Sequence, residues 1–360
     1  MDTVAQPDWN FRRRVLRLWL MAVAALVLIT LLVGGATRLT ESGLSIVEWK
    51  LVAGMVPPLN EGAWLAEFEK YQASSQYRLL TRGMTLGEFK TIFWWEWTHR
   101  LLGRLLGAVF LLPFLWFLWR GWIERGLKAR LWVIFGLGAI QGAAGWWMVA
   151  SGLDGRVSVS PYRLAFHMTL ACVIYVALLW TAQRLSAHEP LDLPRRFRFA
   201  AVALFVLVLI QVYLGALVAG LDAGLAYNTW PLIDGSFVPA WERLMFLTPA
   251  WRNFFENGLT VQFNHRILAY VLYAASILHL VDVVRSRRYG AAVNGALTLA
   301  SVLLLQIAVG IVTLLNQAPV GLALLHQGMA MAVLTVAVLH AERVTVKSAP
   351  FAALDAAEAG

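Results

Sequence analysis

Apolar residues fall along this chain in eight long blocks separated by polar segments. The blocks run roughly over 15–37, 92–119, 131–151, 163–184, 198–219, 259–284, 292–315 and 320–341. About 20 apolar residues are enough for one helix to cross a bilayer. Backbone in lipid must satisfy its own hydrogen bonds, so helices are the expected form. The pattern predicts an all-α integral membrane protein with eight transmembrane helices. The composition agrees, with 59% of the 360 residues hydrophobic and 14% charged.

The polar segments differ in sign and length. Arg12, Arg13, Arg14 and Arg17 precede helix 1; Arg120, Arg125, Lys128 and Arg130 join helices 2 and 3; Arg184, Arg195, Arg196 and Arg198 join helices 4 and 5. Arg285, Arg287 and Arg288 follow helix 6, and Arg343 and Lys347 follow helix 8, so that 17 of the 30 Lys and Arg lie on one side. The positive-inside rule places that side, with both termini, in the cytoplasm. The net charge of +9 is then mainly a topology signal. It points to anionic lipid and not to nucleic acid. The single cysteine, Cys172, lies in helix 4, so one chain builds no disulfide. The first 14 residues hold two Asp and no apolar core, unlike a signal or transit peptide.

The chain repeats itself. Trp97-Thr98-His99-Arg100 in helix 2 matches Phe263-Asn264-His265-Arg266 in helix 6. Gln141 and Gly145 in helix 3 match Gln306 and Gly310 in helix 7. His167 and His326 hold the same relative place in helices 4 and 8. Gly34 followed by Gly43-Leu44-Ser45 matches Gly215 followed by Gly224-Leu225-Ala226. Two pseudo-symmetric four-helix bundles in parallel orientation are expected. They span 15–184 and 198–341, joined by a cytoplasmic linker at 185–197 and flanked by cytoplasmic tails at 1–14 and 342–360. Two long outer segments, 38–91 and 220–258, are of a length that commonly covers a site. Gly142 and Gly145 permit close helix packing, which leaves a homo-oligomer open.

Four histidines sit at repeat-related positions. Helices 2, 4, 6 and 8 all enter from the outer side, and each is expected to carry its histidine within about two turns of that end, roughly 10 Å deep. Neutral imidazole is a common metal ligand, and polar groups at membrane depth are usually functional. His99 with His167, and His265 with His326, therefore read as two bis-histidine metal or haem sites, one per half. Glu96 precedes His99 by three residues and shares its helix face, whereas the second half has Gln262 there. Glutamate can act as acid or base and glutamine cannot, so the first half reads as chemically active. Glu96 orienting His99 or pairing with Arg100 is the alternative. Arg100, Arg104 and Arg266 are candidate partners for carboxylates such as haem propionates, or they snorkel to the interface.

The run Thr37-Arg38-Leu39-Thr40-Glu41-Ser42-Gly43-Leu44-Ser45, then Glu48-Trp49-Lys50, resembles the haem A synthase family (COX15/CtaA). So do Phe89-Lys90, Phe93-Trp94-Trp95-Glu96-Trp97, His99-Arg100 and Asn228-Thr229-Trp230-Pro231-Leu232. The likeness runs from helix 1 to helix 8 and is closest to the alphaproteobacterial and mitochondrial branch, which lacks an outer-loop cysteine pair. It implies a bacterial inner-membrane oxidoreductase that converts a methyl group of haem O to the formyl group of haem A. It places haem O at His99 and His167, haem b at His265 and His326, and the catalytic carboxylate at Glu96. Haem O synthase, cytochrome oxidase assembly factors and an electron acceptor of unassigned identity are the implied partners.

Two other classes compete. His279 and His340 each lie 14 residues after a candidate ligand, about 21 Å along a helix and within ~40° of the same face. That spacing fits a diheme electron-transfer cytochrome b. The first half has Pro113 and Thr181 at those places. A haem carrier or assembly factor would bind porphyrin without chemistry.

Overall fold

The computed structural model describes residues 9–50, 53–186, 191, 193–286 and 290–346. Arg287, Arg288, Lys347 and most of the two tails lie outside the described residues, as do 187–190 and 192 of the linker. Eight helices are long and apolar enough to cross a membrane. They are α1 (Trp9–Leu39), α2 (Leu86–Trp119), α3 (Arg125–Leu153), α4 (Pro161–Arg184), α5 (Arg195–Gly220), α6 (Gly258–Arg285), α7 (Gly290–Leu315) and α8 (Val320–Thr345). This is a multi-pass, all-helical protein, and among the described residues strand pairing is limited to an Ile233–Ser236 bridge.

Local chemistry sets the helix starts. Thr85 and Glu88 form a capping box at α2, which moves its start from the expected 92 to Leu86. His99 therefore lies 13 residues into α2, not two turns in. The extra turns rise above the bundle and carry Phe89 and Phe93 into a cluster with Trp64 and Tyr71. Pro161 opens α4 at its first turn, where a missing N–H costs nothing. Asn257 caps α6 by accepting from Leu259 and Thr260 N–H.

Around the first half the neighbours run α1–α2–α3–α4 and back to α1; around the second they run α5–α6–α7–α8 and back to α5. The halves meet through α1 with α8, α4 with α5, and α4 with α8. The histidine-bearing helices α2 and α4 do not pack side by side, nor do α6 and α8. The close-packed apolar core lies mostly toward the end with the short basic connections, around Leu16, Leu20, Phe114, Leu131, Leu178 and Leu334. The other end is roofed by the long segments. These are not bare connectors: they hold helices Glu61–Gln72, Ser75–Leu79, Ala223–Ala226, Trp241–Leu244 and Asn253–Glu256.

Candidate functional site

The sequence-predicted histidines come together in pairs. His99 and His167 lie within electrostatic range of each other across the first half, and His265 and His326 do so across the second. The members of each pair come from opposite corners of a four-helix ring, so the bundle interior lies between them.

Each histidine is seated in the same way. The preceding helix presents a glycine to the ring: Gly34 to His99, Gly145 to His167, Gly215 to His265 and Gly310 to His326. A Cβ at these glycines would come within 2.7, 3.0, 3.1 and 2.8 Å of the respective ring. One turn before three of the glycines stands a glutamine. Gln141 Nε2 donates to the backbone carbonyl of His167 (3.1 Å), Gln211 Nε2 to that of His265 (2.9 Å) and Gln306 Nε2 to that of His326 (3.1 Å). The same amides lie 3.3, 3.0 and 3.4 Å from an imidazole nitrogen. Gln211 escaped the sequence reading, although Gln211-x-x-x-Gly215 is a third copy of a spacing already visible twice.

Polar side chains around His99 of α2 and His265 of α6 grip the adjacent long segment. Glu96 Oε2 accepts from Ser45 Oγ (2.7 Å) and Ile46 N–H (2.8 Å), and Glu96 Oε1 accepts from Arg100 Nη2 (2.6 Å). Arg100 also donates to the carbonyls of Ile46 (2.7 Å) and Glu48 (3.0 Å) and lies over the Trp49 ring. Arg104 donates to the Lys50 carbonyl at 2.9 Å. In the second half Arg266 donates to the Tyr227 carbonyl (3.0 Å), and Gln262 donates to the same oxygen (3.4 Å). Ile46 and Tyr227 occupy matching places after Gly43-Leu44 and Gly224-Leu225, so the repeat extends to the loop contacts.

The model for cytochrome oxidase assembly protein (COX15-CtaA) matches residues 17–338. The chain belongs to this family. A Bradyrhizobium diazoefficiens protein named heme A synthase is 57% identical over 343 residues, 95% of this chain and 94% of its own length. Heme A synthases from two Rhodopseudomonas palustris strains, BisB5 and HaA2, are each 58% identical, covering 94% and 93% of this chain and 94% and 91% of their own lengths.

Within this family member the two halves carry different charge. Arg100 is neutralised by Glu96 as a buried i, i+4 pair. Arg266 is 7% exposed and, among the described residues, has no carboxylate partner. Its Nε is buried without a hydrogen bond. An uncompensated buried cation is costly, so a ligand carboxylate is the natural complement. Of the three arginines anticipated as carboxylate partners, Arg266 is the most buried, and among the described residues it has no acid partner.

Proposed function

We propose that this chain, whose relatives are named heme A synthase, makes haem A by oxidising a methyl group of haem O to the formyl group. The observation that carries the reading is the two histidine pairs, each ring resting against a glycine of the preceding helix and each pair carried by helices that do not pack side by side. Flat macrocycles fit between opposite corners of a four-helix ring. The donor set also fits: buried imidazoles, with His167 Nδ1 and His326 Nδ1 left without partners. A ligating imidazole donates its second nitrogen's proton to an outer partner.

In this reading the N-terminal bundle, 15–184, holds substrate haem O at His99 and His167. The C-terminal bundle, 198–341, holds haem b at His265 and His326, with a propionate on Arg266. Bound haem b supplies one-electron redox chemistry beside the substrate half. Glu96 is the carboxylate placed to move a proton at the substrate. It also anchors segment 45–48, by accepting from Ser45 Oγ and Ile46 N–H. Both termini lie in the cytoplasm and both sites lie toward the periplasmic face of the bacterial inner membrane. Haem O synthase supplies the substrate, an acceptor takes the electrons, and oxidase assembly factors receive the product.

Extraction of pigment from purified protein tests this. His265→Ala or His326→Ala should remove haem b and destabilise the protein, since a bound cofactor stabilises the fold that binds it. His99→Ala or His167→Ala should abolish formyl-haem and leave haem b in place. Loss of haem b from the His99 variant with retention in the His265 variant would reverse the assignment of the halves. Wild-type protein that makes no formyl-haem from haem O would remove the catalytic reading.

A further inference from the structure

Three of the four histidines are held from two directions and one is not. His167, His265 and His326 each have a glycine floor against the ring and a glutamine amide on the backbone carbonyl. His99 has the floor only. The position one turn before Gly34 is Thr30, whose hydroxyl donates to Leu26 O in its own helix at 2.8 Å. Among the described residues no side chain donates to the His99 carbonyl.

The glutamines have unspent capacity. Gln141 Oε1, Gln211 Oε1 and Gln306 Oε1 are all buried without partners. Buried polar groups are almost always paired, so three identical exceptions at one repeated place call for a ligand-bound state that uses them. An imidazole bound to iron through one nitrogen carries its proton on the other and nearly always donates it to an oxygen. Each orphan oxygen belongs to an amide already in contact with such a ring.

We propose that Gln141, Gln211 and Gln306 are positioning residues for His167, His265 and His326, and that the missing fourth glutamine at Thr30 makes His99 the yielding ligand through which the substrate porphyrin is exchanged. The proposal rests on the assignment of His99 and His167 to the substrate half. It explains an asymmetry inside that half: His167 holds the porphyrin on one face while His99 lets go on the other. Both ligands of the second half are tethered, as a resident cofactor requires.

The test uses the full-length holoprotein in detergent with Gln211→Met, Gln306→Met, Gln141→Met and Thr30→Gln. Haem loss is followed as transfer to excess apomyoglobin, and the low-spin haem signals are read by electron paramagnetic resonance. Gln211→Met and Gln306→Met should keep haem b but release it roughly three- to tenfold faster, the span of one ordinary hydrogen bond. Their g-values should shift, and the haem b potential should rise as its imidazole becomes less basic. Thr30→Gln should slow porphyrin release from the first half by a similar factor and lower kcat, with haem b signals unchanged. Gln141→Met should speed release from the same half and gives the converse if Thr30→Gln does not fold. Methionine variants with wild-type g-values and transfer rates overturn the proposal. So does a folded Thr30→Gln protein with wild-type release. Failure of the underlying assignment looks different: wild-type protein would then lack haem b or make no formyl product, whatever the glutamine variants do.

Discussion

One atom exchange separates the two halves at the residue scale: the carboxylate of Glu96 against the amide of Gln262. The difference was visible in the sequence and reads there as acid–base capacity against its absence. The structure adds what each side chain touches. Glu96 neutralises Arg100 and receives Ser45 Oγ and Ile46 N–H, while Gln262 leaves the Arg266 charge uncompensated. The arginines themselves were legible as candidates, but which one retains a free charge depends on contacts that no spacing reveals. Gln262→Glu should therefore supply Arg266 with an internal partner one helical turn away and weaken the hold on a propionate proposed for it. Charge-assisted hydrogen bonds contribute about 1.5–3 kcal/mol, so haem b affinity should fall on the order of ten- to a hundredfold. Titration of apoprotein with haem b reads this directly, and an unchanged affinity would take Arg266 out of the cofactor site. Glu96→Gln separates the two parts of Glu96. Loss of formyl-haem with segment 45–48 still protected from proteolysis identifies proton chemistry, whereas loss of both identifies the anchor.

Among the elements, the apolar blocks gave all eight spanning helices, because length and hydropathy suffice for that. Their ends depended on capping. The Thr85–Glu88 box was readable but lies outside the apolar block, so α2 begins earlier than expected. The small helices of the roof were not legible because they are short, polar and held by distant partners. Helix Glu61–Gln72, for example, is tied to the segment after Ser45 by Lys70 Nζ on Glu48 Oε2 at 2.9 Å. Hydrogen bonds first from Lys50 and then from Lys70 hold the Glu48 carboxyl below its ordinary value of 4.5. A depressed carboxyl stabilises above its unfolded value and loses that contribution as pH falls through the lowered one. The partners are a third to half exposed, so the effect is a fraction of a kcal/mol. Hydrogen exchange in 53–72 should rise modestly below pH 4.5, and Glu48→Gln should show that rise already at neutral pH. The glycine floors give a sharper expectation. Gly215→Ala or Gly310→Ala drives a methyl into the His265 or His326 ring and should displace haem b. Gly142→Ala, on the same helix as Gly145 but facing open space, should be silent in haem content.

For the whole molecule, α6 and α8 behave as a pair of tongs. At the long-loop end they carry His265 and His326, whose rings rest against Gly215 and Gly310. At the other end His279 Nε2 and His340 Nε2 meet directly at 2.8 Å, both buried, with Phe197 against His279. The spacing of 14 residues that pointed toward stacked haems is thus realised as a closed contact, in which one neutral ring donates to the other. This hydrogen bond ties two helices that do not otherwise pack side by side, below the proposed haem b site. The first half has Pro113 and Thr181 at these positions and closes with Phe110, Phe114 and Phe117 instead. A polar pair of this kind behaves asymmetrically on mutation. Removing one ring leaves the other's Nε2 buried and unpaired, at about 1–3 kcal/mol, whereas replacing both by apolar side chains is nearly neutral. His279→Leu or His340→Leu alone should therefore lower the unfolding midpoint more than the double variant does. The double variant should keep full haem b and full activity, because the proposed ligands at the other end are untouched. Stoichiometric loss of a b-type haem from the double variant would instead mean that the tongs close on a second cofactor and that the contact opens to admit it.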